Sequence, residues 1–220
     1  MSDEWKQKPY VERYNQVFAF DDAEAALHLE PLRLASSDLF VDFGCGEGTA
    51  LFVAAQSVSR VLGIDSSADQ LDRARARLAS LPNVQLQLAS FLDCDLSEGG
   101  FTKGAARKAL HHLKDADKET FFNRVSPHFT EGALFLVEDA VFDFPRSSLA
   151  DRLFAVLEEA ESVYGERWSK VRGDFLTMLR EEYPTGIEEW TRALGAGGFK
   201  IERRMRWNCF SSALLARKGS

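Results

Sequence analysis

Three glycines at alternate positions, Gly44, Gly46 and Gly48, follow a run Leu-Phe-Val-Asp-Phe that begins at residue 39. Two carboxylates bracket them: Asp42 just before the glycines, and Asp65 at the end of Val-Leu-Gly-Ile-Asp downstream. Glycine lacks a Cβ and tolerates positive φ, so such a run lets backbone turn sharply and admits a ligand close to it. A helix opening at residue 49 would turn unpaired N–H groups and a positive dipole end toward the loop, which suits a carboxylate or phosphate. A carboxylate at the carboxyl end of the next strand is placed to clamp ribose hydroxyls. Proton transfer has its own candidates: His111 first, His112 beside it, and the adjacent Glu138 and Asp139 as second-choice bases or substrate anchors.

The elements that must hold these groups follow from periodicity. Residues 39–43 and 61–65 read as strands joined by a helix over 49–57. Ser67, with Gln70 three positions on, opens a helix through residue 80 that keeps Leu71, Ala74 and Leu78 on one face. Val84, Leu86 and Leu88 alternate as a third strand. The segment 101–110 is weak as a strand by composition, through Lys103, Gly104, Arg107 and Lys108. A helix over 118–128 and an apolar strand over 133–137 come next, with Thr130-Glu131-Gly132 as the turn between them. Residues 145–183 read as helical, Pro184 breaks the run, 187–194 makes a last helix, and 199–207 with 210–217 close the sheet. Ahead of the first strand, Tyr10, Tyr14 and Phe18 share one helical face.

Spacing separates two kinds of nucleotide site. The dinucleotide fingerprint G-x-G-x-x-G wants its third glycine where this chain has Thr49, which disfavours a nicotinamide enzyme. The run D-x-G-x-G-x-G followed by G-I-D resembles instead the class I S-adenosylmethionine-dependent methyltransferases, and Ala109-Leu110-His111-His112-Leu113 resembles a turn of their small-molecule members. That resemblance implies an α/β fold: a Rossmann-like, seven-stranded, mostly parallel sheet with helices on both faces, an antiparallel last strand and a helical cap insertion. Family resemblance, more than pattern, makes 101–110 the fourth strand. It implies one domain over 1–220, with an N-terminal helical lid at 1–38, a cofactor-binding core at 39–144, a cap at 145–186, and a final helix and strand pair at 187–220. The implied cofactor is S-adenosylmethionine, with S-adenosylhomocysteine as product. Its methionine end would lie by Gly44, Cys45, Gly46 and Gly48 with Asp42 on the amino group, its ribose on Asp65 beside Ser66, and its adenine near Ser90 and Phe91. Tyr14 from the lid and Arg107 complete the expected cofactor set. Two positions depart from the pattern: Ser90 replaces an acidic residue, and residues 130–132 replace Pro-Gly-Gly. The asparagine-proline-proline-aromatic motif of DNA amine methylases is missing.

Composition sets the outer bounds. With 220 residues, 45% hydrophobic and 28% charged, the chain can bury a core without staples. A net charge of -7 argues against holding nucleic acid by phosphate contacts, so a small-molecule substrate is expected. Cys45, Cys94 and Cys209 show neither disulfide nor zinc spacing, and no metal is expected. A charged N-terminus and the lack of any apolar run long enough to span a bilayer suggest a cytoplasmic protein that does not engage membrane. The methyl of a sulfonium is already activated, so proximity and orientation can supply ~7–11 kcal/mol of a transfer barrier without an obligatory catalytic group. A different class stays open: a non-catalytic, methyltransferase-like subunit that holds the cofactor, or has lost it, and serves a partner protein.

Overall fold

The computed structural model describes residues 18–220. In chain order the strands are β1 (Leu39–Phe43), β2 (Arg60–Asp65), β3 (Val84–Leu88), β4 (Phe101–Arg107), β5 (Phe129–Asp139), β6 (Val141–Phe142), β7 (Thr185–Gly186), β8 (Phe199–Arg206) and β9 (Ser212–Lys218). The helices are α1 (Asp22–Leu29), α2 (Thr49–Ala55), α3 (Ala68–Leu78), α4 (Asp115–Val125), α5 (Leu149–Tyr164), α6 (Trp168–Glu181) and α7 (Ile187–Ala196). The main sheet runs β3-β2-β1-β4-β5-β9-β8. Strands β1 to β5 pair in parallel, and β9 lies antiparallel between β5 and β8. This is the expected Rossmann-like, mostly parallel arrangement. The chain steps outward from β1 to β3 and then returns to β4 on the other side of β1, so strand order reverses between β1 and β4. Open α/β sheets bind ligands beyond the carboxyl ends of strands at such a point.

Helices lie on both faces of the sheet, and the inner strands β1 and β5 are accordingly apolar on both sides, while the edge strands β3 and β8 carry polar residues. One core gathers Val41, Phe43, Phe121, Phe122, Phe135 and Trp190 beneath α4 and α7. The other gathers Phe40, Leu51, Leu71 and Leu78 beneath α1, α2 and α3. Strand β4 is central in spite of its poor composition. A Cβ on Gly104 would stand 2.8 Å from the rings of Phe129 and Phe135, so small residues there make room for aromatic packing.

Several boundaries differ from the sequence reading. Residues 130–132 belong to β5 rather than to a preceding turn: the register jumps from Phe101↔Phe129 to Lys103↔Leu134, and Gly132, at φ 77°, absorbs the bulge. Helix α4 begins at Asp115, with Asp115 and Asp117 complementing the dipole of its first turn. Helix α2 ends at Ala55. Most of the expected aromatic helix, Tyr10 and Tyr14 included, lies outside the described residues; Phe18 stands in a turn and the helix observed here is α1, opened by a reciprocal Asp21–Glu24 capping box.

Helices α5 and α6 form the expected insertion and pack on each other through Val156, Ala160, Trp168, Val171, Phe175 and Leu179, with Phe142, Phe144 and Phe210 below. The chain leaves for this roof after β6 and returns at β7, and these two strands pair to close its base. None of the helices among the described residues is long and apolar enough to cross a membrane.

Candidate active site

The loop after β1 is fixed by its own backbone. Gly44 N and Cys45 N donate to Ile64 O at 2.8 and 3.1 Å, and Gly44, Gly46 and Gly48 sit at φ 80°, 54° and 82°. Gly44 admits no side chain, since a Cβ there would stand 2.6 Å from Ala109 Cβ in the turn after β4. Asp65 ties the second strand to the loop: Gly46 N and Ser67 N each donate to its carboxylate at 2.8 Å. Asp42, 3% exposed, faces the same cleft. Burial, with the Asp65 charge adding to it, pushes the Asp42 carboxyl up to about 7, while Arg107 pulls it back. Asp65 is raised too, by burial, against the lowering effect of its backbone donors. Two buried carboxylates on one cleft therefore favour a ligand that brings positive charge and hydroxyl donors. Phe91 and Ala109 supply an apolar wall.

A second cavity adjoins the first beneath the roof, and Phe18, Arg107, Lys108 and His112 line both. Its remaining wall comes from Glu138 to Ala140, from Tyr164, Phe175, Met178 and Glu182 of the roof, and from the 207–211 segment. The turn 109–113 is its hinge. Leu110 N and His111 N donate to Asp139 Oδ2 at 2.9 and 3.1 Å, and His111 Nδ1 lies 2.5 Å from Asp139 Oδ1. The roof reaches the same turn through Glu182, 3.2 Å from both His111 Nε2 and His112 Nδ1.

These contacts divide the two histidines. Burial works against a charged His111, but Asp139 and Glu182 outweigh it and push its pKa up to about 10. His112 is lowered by burial and by the neighbouring His111 charge. At neutral pH His111 is an imidazolium held between carboxylates, whereas His112 is a neutral imidazole on both cavities. His111 Nε2, His112 Nδ1 and a Glu182 oxygen also lie within 4.8 Å of one another, a set able to ligate a cation. The expectation of no metal site overlooked this trio because Glu182 arrives from the far end of the roof. With Asp139 at Nδ1 and Glu182 at Nε2, His111 is already satisfied as a cation, so a metal would have to displace its proton.

Residues 40–132, less than half of the chain, match the family described as "Methyltransferase domain". An uncharacterised methyltransferase of Anoxybacillus flavithermus is 25% identical over 190 residues, covering 86% of this chain and 81% of the relative. An uncharacterised transposon protein of Streptomyces fradiae is 34% identical over 90 residues, 40% of this chain and 26% of its own length. An uncharacterised methyltransferase of Mycobacterium tuberculosis is 29% identical over 109 residues, 50% of this chain and 54% of its own. This chain thus spans less than two thirds of the last two. Among solved structures, an S-adenosylmethionine-dependent methyltransferase of Clostridium acetobutylicum aligns at TM-score 0.69 and 12% identity over 96% of this chain and 98% of that one. A magnesium protoporphyrin IX methyltransferase of Synechocystis with bound S-adenosylhomocysteine aligns at 0.67 and 15% over 99% and 97%. Residues 40–132 are thus similar to a methyltransferase domain, and the fold is the one these methyltransferase structures share.

Within the stretch that matches the family, the structure brings Asp42, Gly44, Cys45, Gly46, Asp65, Ser66, Phe91 and Arg107 to one cleft. Gly48 stands apart from its wall; it caps α2, and a Cβ there would stand 2.9 Å from Leu78 Cδ1, so its role is packing. Ser90 is also off the wall, its hydroxyl turned to Asp93 Oδ2 at 2.5 Å. Tyr14 lies outside the described residues. His111 lines the second cavity only. Glu138, a second-choice base, is engaged by His28 Nδ1 at 2.6 Å and Arg107 Nε at 2.8 Å; burial would raise its pKa, but those two partners hold it below the usual carboxylate range. Asp139 is likewise lowered by His111 and its N–H donors against the effect of burial. Sequence reasoning missed Lys108 and Glu182. Lys108 was legible as the residue after the fourth strand, while Glu182 carried no local signal.

Proposed function

We propose that the chain binds S-adenosylmethionine in the cleft at the ends of β1 and β2 and transfers its methyl group to a small acceptor in the adjoining cavity. The observation that carries this reading is the pair of buried carboxylates, Asp42 and Asp65, on either side of a glycine loop. Such a pair fits a ligand with an ammonium at one end and a ribose diol at the other. Asp65 has lone pairs left for the diol after its two backbone donors, and Asp42 is placed for the ammonium. Phe91 offers a ring face to the adenine. Cys45, Ser66 and Arg107 line the same space. When bound, the sulfonium supplies an activated methyl group.

The chain's own contribution is positioning and proton handling. Tyr164, Phe175 and Met178 of the roof helices form part of the wall of the second cavity. If the acceptor loses a proton, His112 is the group in the correct state to accept it: neutral, on both cavities, and oriented by Glu182. His111 becomes the positioning residue, fixing the turn through Asp139. A second cavity that shares Phe18, Arg107, Lys108 and His112 with the cofactor cleft supports catalysis on a small acceptor over the alternative of a purely cofactor-holding subunit.

The test is transfer of tritiated methyl from S-adenosylmethionine to a low-molecular-weight metabolite extract. The reading expects label in small organic products and S-adenosylhomocysteine formed in equal amount. Cofactor binding without any transfer would leave the subunit role instead.

A further inference from the structure

Lys108 joins the two cavities in an unusual way. Its φ is 48°, the left-handed region that a lysine adopts only where its surroundings impose it. Lys108 N donates to Glu138 O at 2.7 Å, which fixes that backbone and leaves the side chain along both cavities, its Nζ 5.2 Å from the centre of the Phe18 ring. Three of the four carboxylates on the second cavity are paired with other groups, and the fourth, Asp174, comes from α6. Glu138 pairs with Arg107 and His28, Asp139 with His111, and Glu182 with both histidines. No carboxylate among the described residues forms an ion pair with the Lys108 ammonium. Burial, together with the Arg107 and Arg167 charges, lowers its pKa to about 8 against the pull of Glu138 and Asp139, so an anion in the cavity would relieve an unfavourable charge.

The wall of the second cavity also has an apolar stretch, Tyr164, Phe175, Met178, Trp207 and Phe210, beside the polar Asp174, Thr177, Asn208 and Ser211. One uncommitted ammonium suits a monoanion. A planar, two-pronged grip on phosphate is a guanidinium's work, and Arg107 gives its Nε to Glu138 while its guanidinium carbon stacks 3.7 Å from the centre of the Phe20 ring. We propose that Lys108 holds the carboxylate of the methyl acceptor, an organic acid whose apolar body fills the space under α5 and α6. The proposal rests on reading this cavity as the acceptor site, and it names the acceptor's class.

The experiment titrates the full chain with 2-naphthoate, its neutral analogue 2-naphthamide, 2-naphthyl phosphate and 2-naphthylmethylammonium, each with and without S-adenosylhomocysteine. The proposal expects naphthoate to bind at least tenfold more tightly than the amide, Lys108→Met to erase that preference while amide binding persists, and Lys108→Arg to keep most of it. Lys108→Gln serves if the methionine variant fails to fold. An amide that binds as well as the acid overturns the proposal, as does a preference for the ammonium or the phosphate, a preference surviving Lys108→Met, or no binding of any probe. Naphthoate preference without S-adenosylhomocysteine binding would keep the Lys108 assignment and remove the cofactor reading; the reverse result would do the opposite.

Discussion

Glu182 Oε1 stands 3.2 Å from His112 Nδ1, joining the last turn of the roof to the turn that follows β4. A carboxylate and an imidazole brought together from such distant segments fix both the tautomer of the ring and the seat of the roof. Tyr183 N donates to His111 O at 2.8 Å beside them, so the same junction is stitched by backbone.

Glu182 and His112 should therefore act together. His112→Gln is expected to lower methyl transfer at saturating acceptor by roughly 10²–10⁴-fold if a proton leaves the acceptor. Glu182→Gln should cost less, and His111→Gln should raise the Michaelis constant for the acceptor more than it lowers turnover. Single-turnover rates with the labelled cofactor check the order; equal losses for both histidines would deny them separate roles.

Asp42 predicts a pH dependence. Its folded pKa is raised, so the unliganded protein loses stability as pH climbs from the ordinary carboxylate range toward about 7. A cationic ligand needs the ionised form. Affinity for S-adenosylhomocysteine should then rise by roughly tenfold from pH 6 to pH 8, since one pH unit on either side of the pKa changes the ionised fraction by about that factor. Proton release on binding, measured by calorimetry in two buffers, checks it. Asp42→Asn should flatten the profile and stabilise the unliganded protein above pH 7.

Lys118 is wholly buried under the same junction. Its Nζ donates to Leu113 O at 2.6 Å and Tyr183 O at 2.7 Å, and Asp115 lies 3.2 Å away. Lys118→Met strands both carbonyls and should destabilise by about 2–3 kcal/mol, read from chemical unfolding. A loss below about 0.5 kcal/mol would show the junction to be held by other contacts.

Strain at Lys108 can be separated from its charge. Relieving a left-handed φ outweighs the added freedom of glycine in the unfolded chain, so Lys108→Gly should stabilise by about 1 kcal/mol while losing selectivity for organic anions. Arg33→Gly, at φ 49° on the exposed end of the segment after α1, should stabilise similarly and leave ligand binding alone.

Much of the frame was legible because its signals are local. Alternating glycines fix a loop, Ser67 accepts from Gln70 N to open α3, and the apolar period of Leu71, Ala74 and Leu78 predicts which face is buried. The cleft carboxylates Asp42 and Asp65 were legible for the same reason, lying at strand ends fixed by the pattern. What was hidden is long-range. Strand β4 looks weak until Phe129 and Phe135 are seen to need the space above Gly104. The choice of His111 as base was made without sight of Asp139 and Glu182, which hold its ring and are not close to it in sequence. Ser90 was assigned by resemblance, and only the neighbouring Asp93 shows where its hydroxyl goes.

Calorimetric titration of S-adenosylhomocysteine into the wild-type chain and into Asp65→Ala addresses the central claim most directly. The account predicts binding of one molecule per chain and a loss of affinity of about tenfold or more in the variant, as expected for hydrogen bonds to a charged group worth about 1.5–3 kcal/mol. Absence of binding to the wild type, or equal affinity in Asp65→Ala, would contradict it.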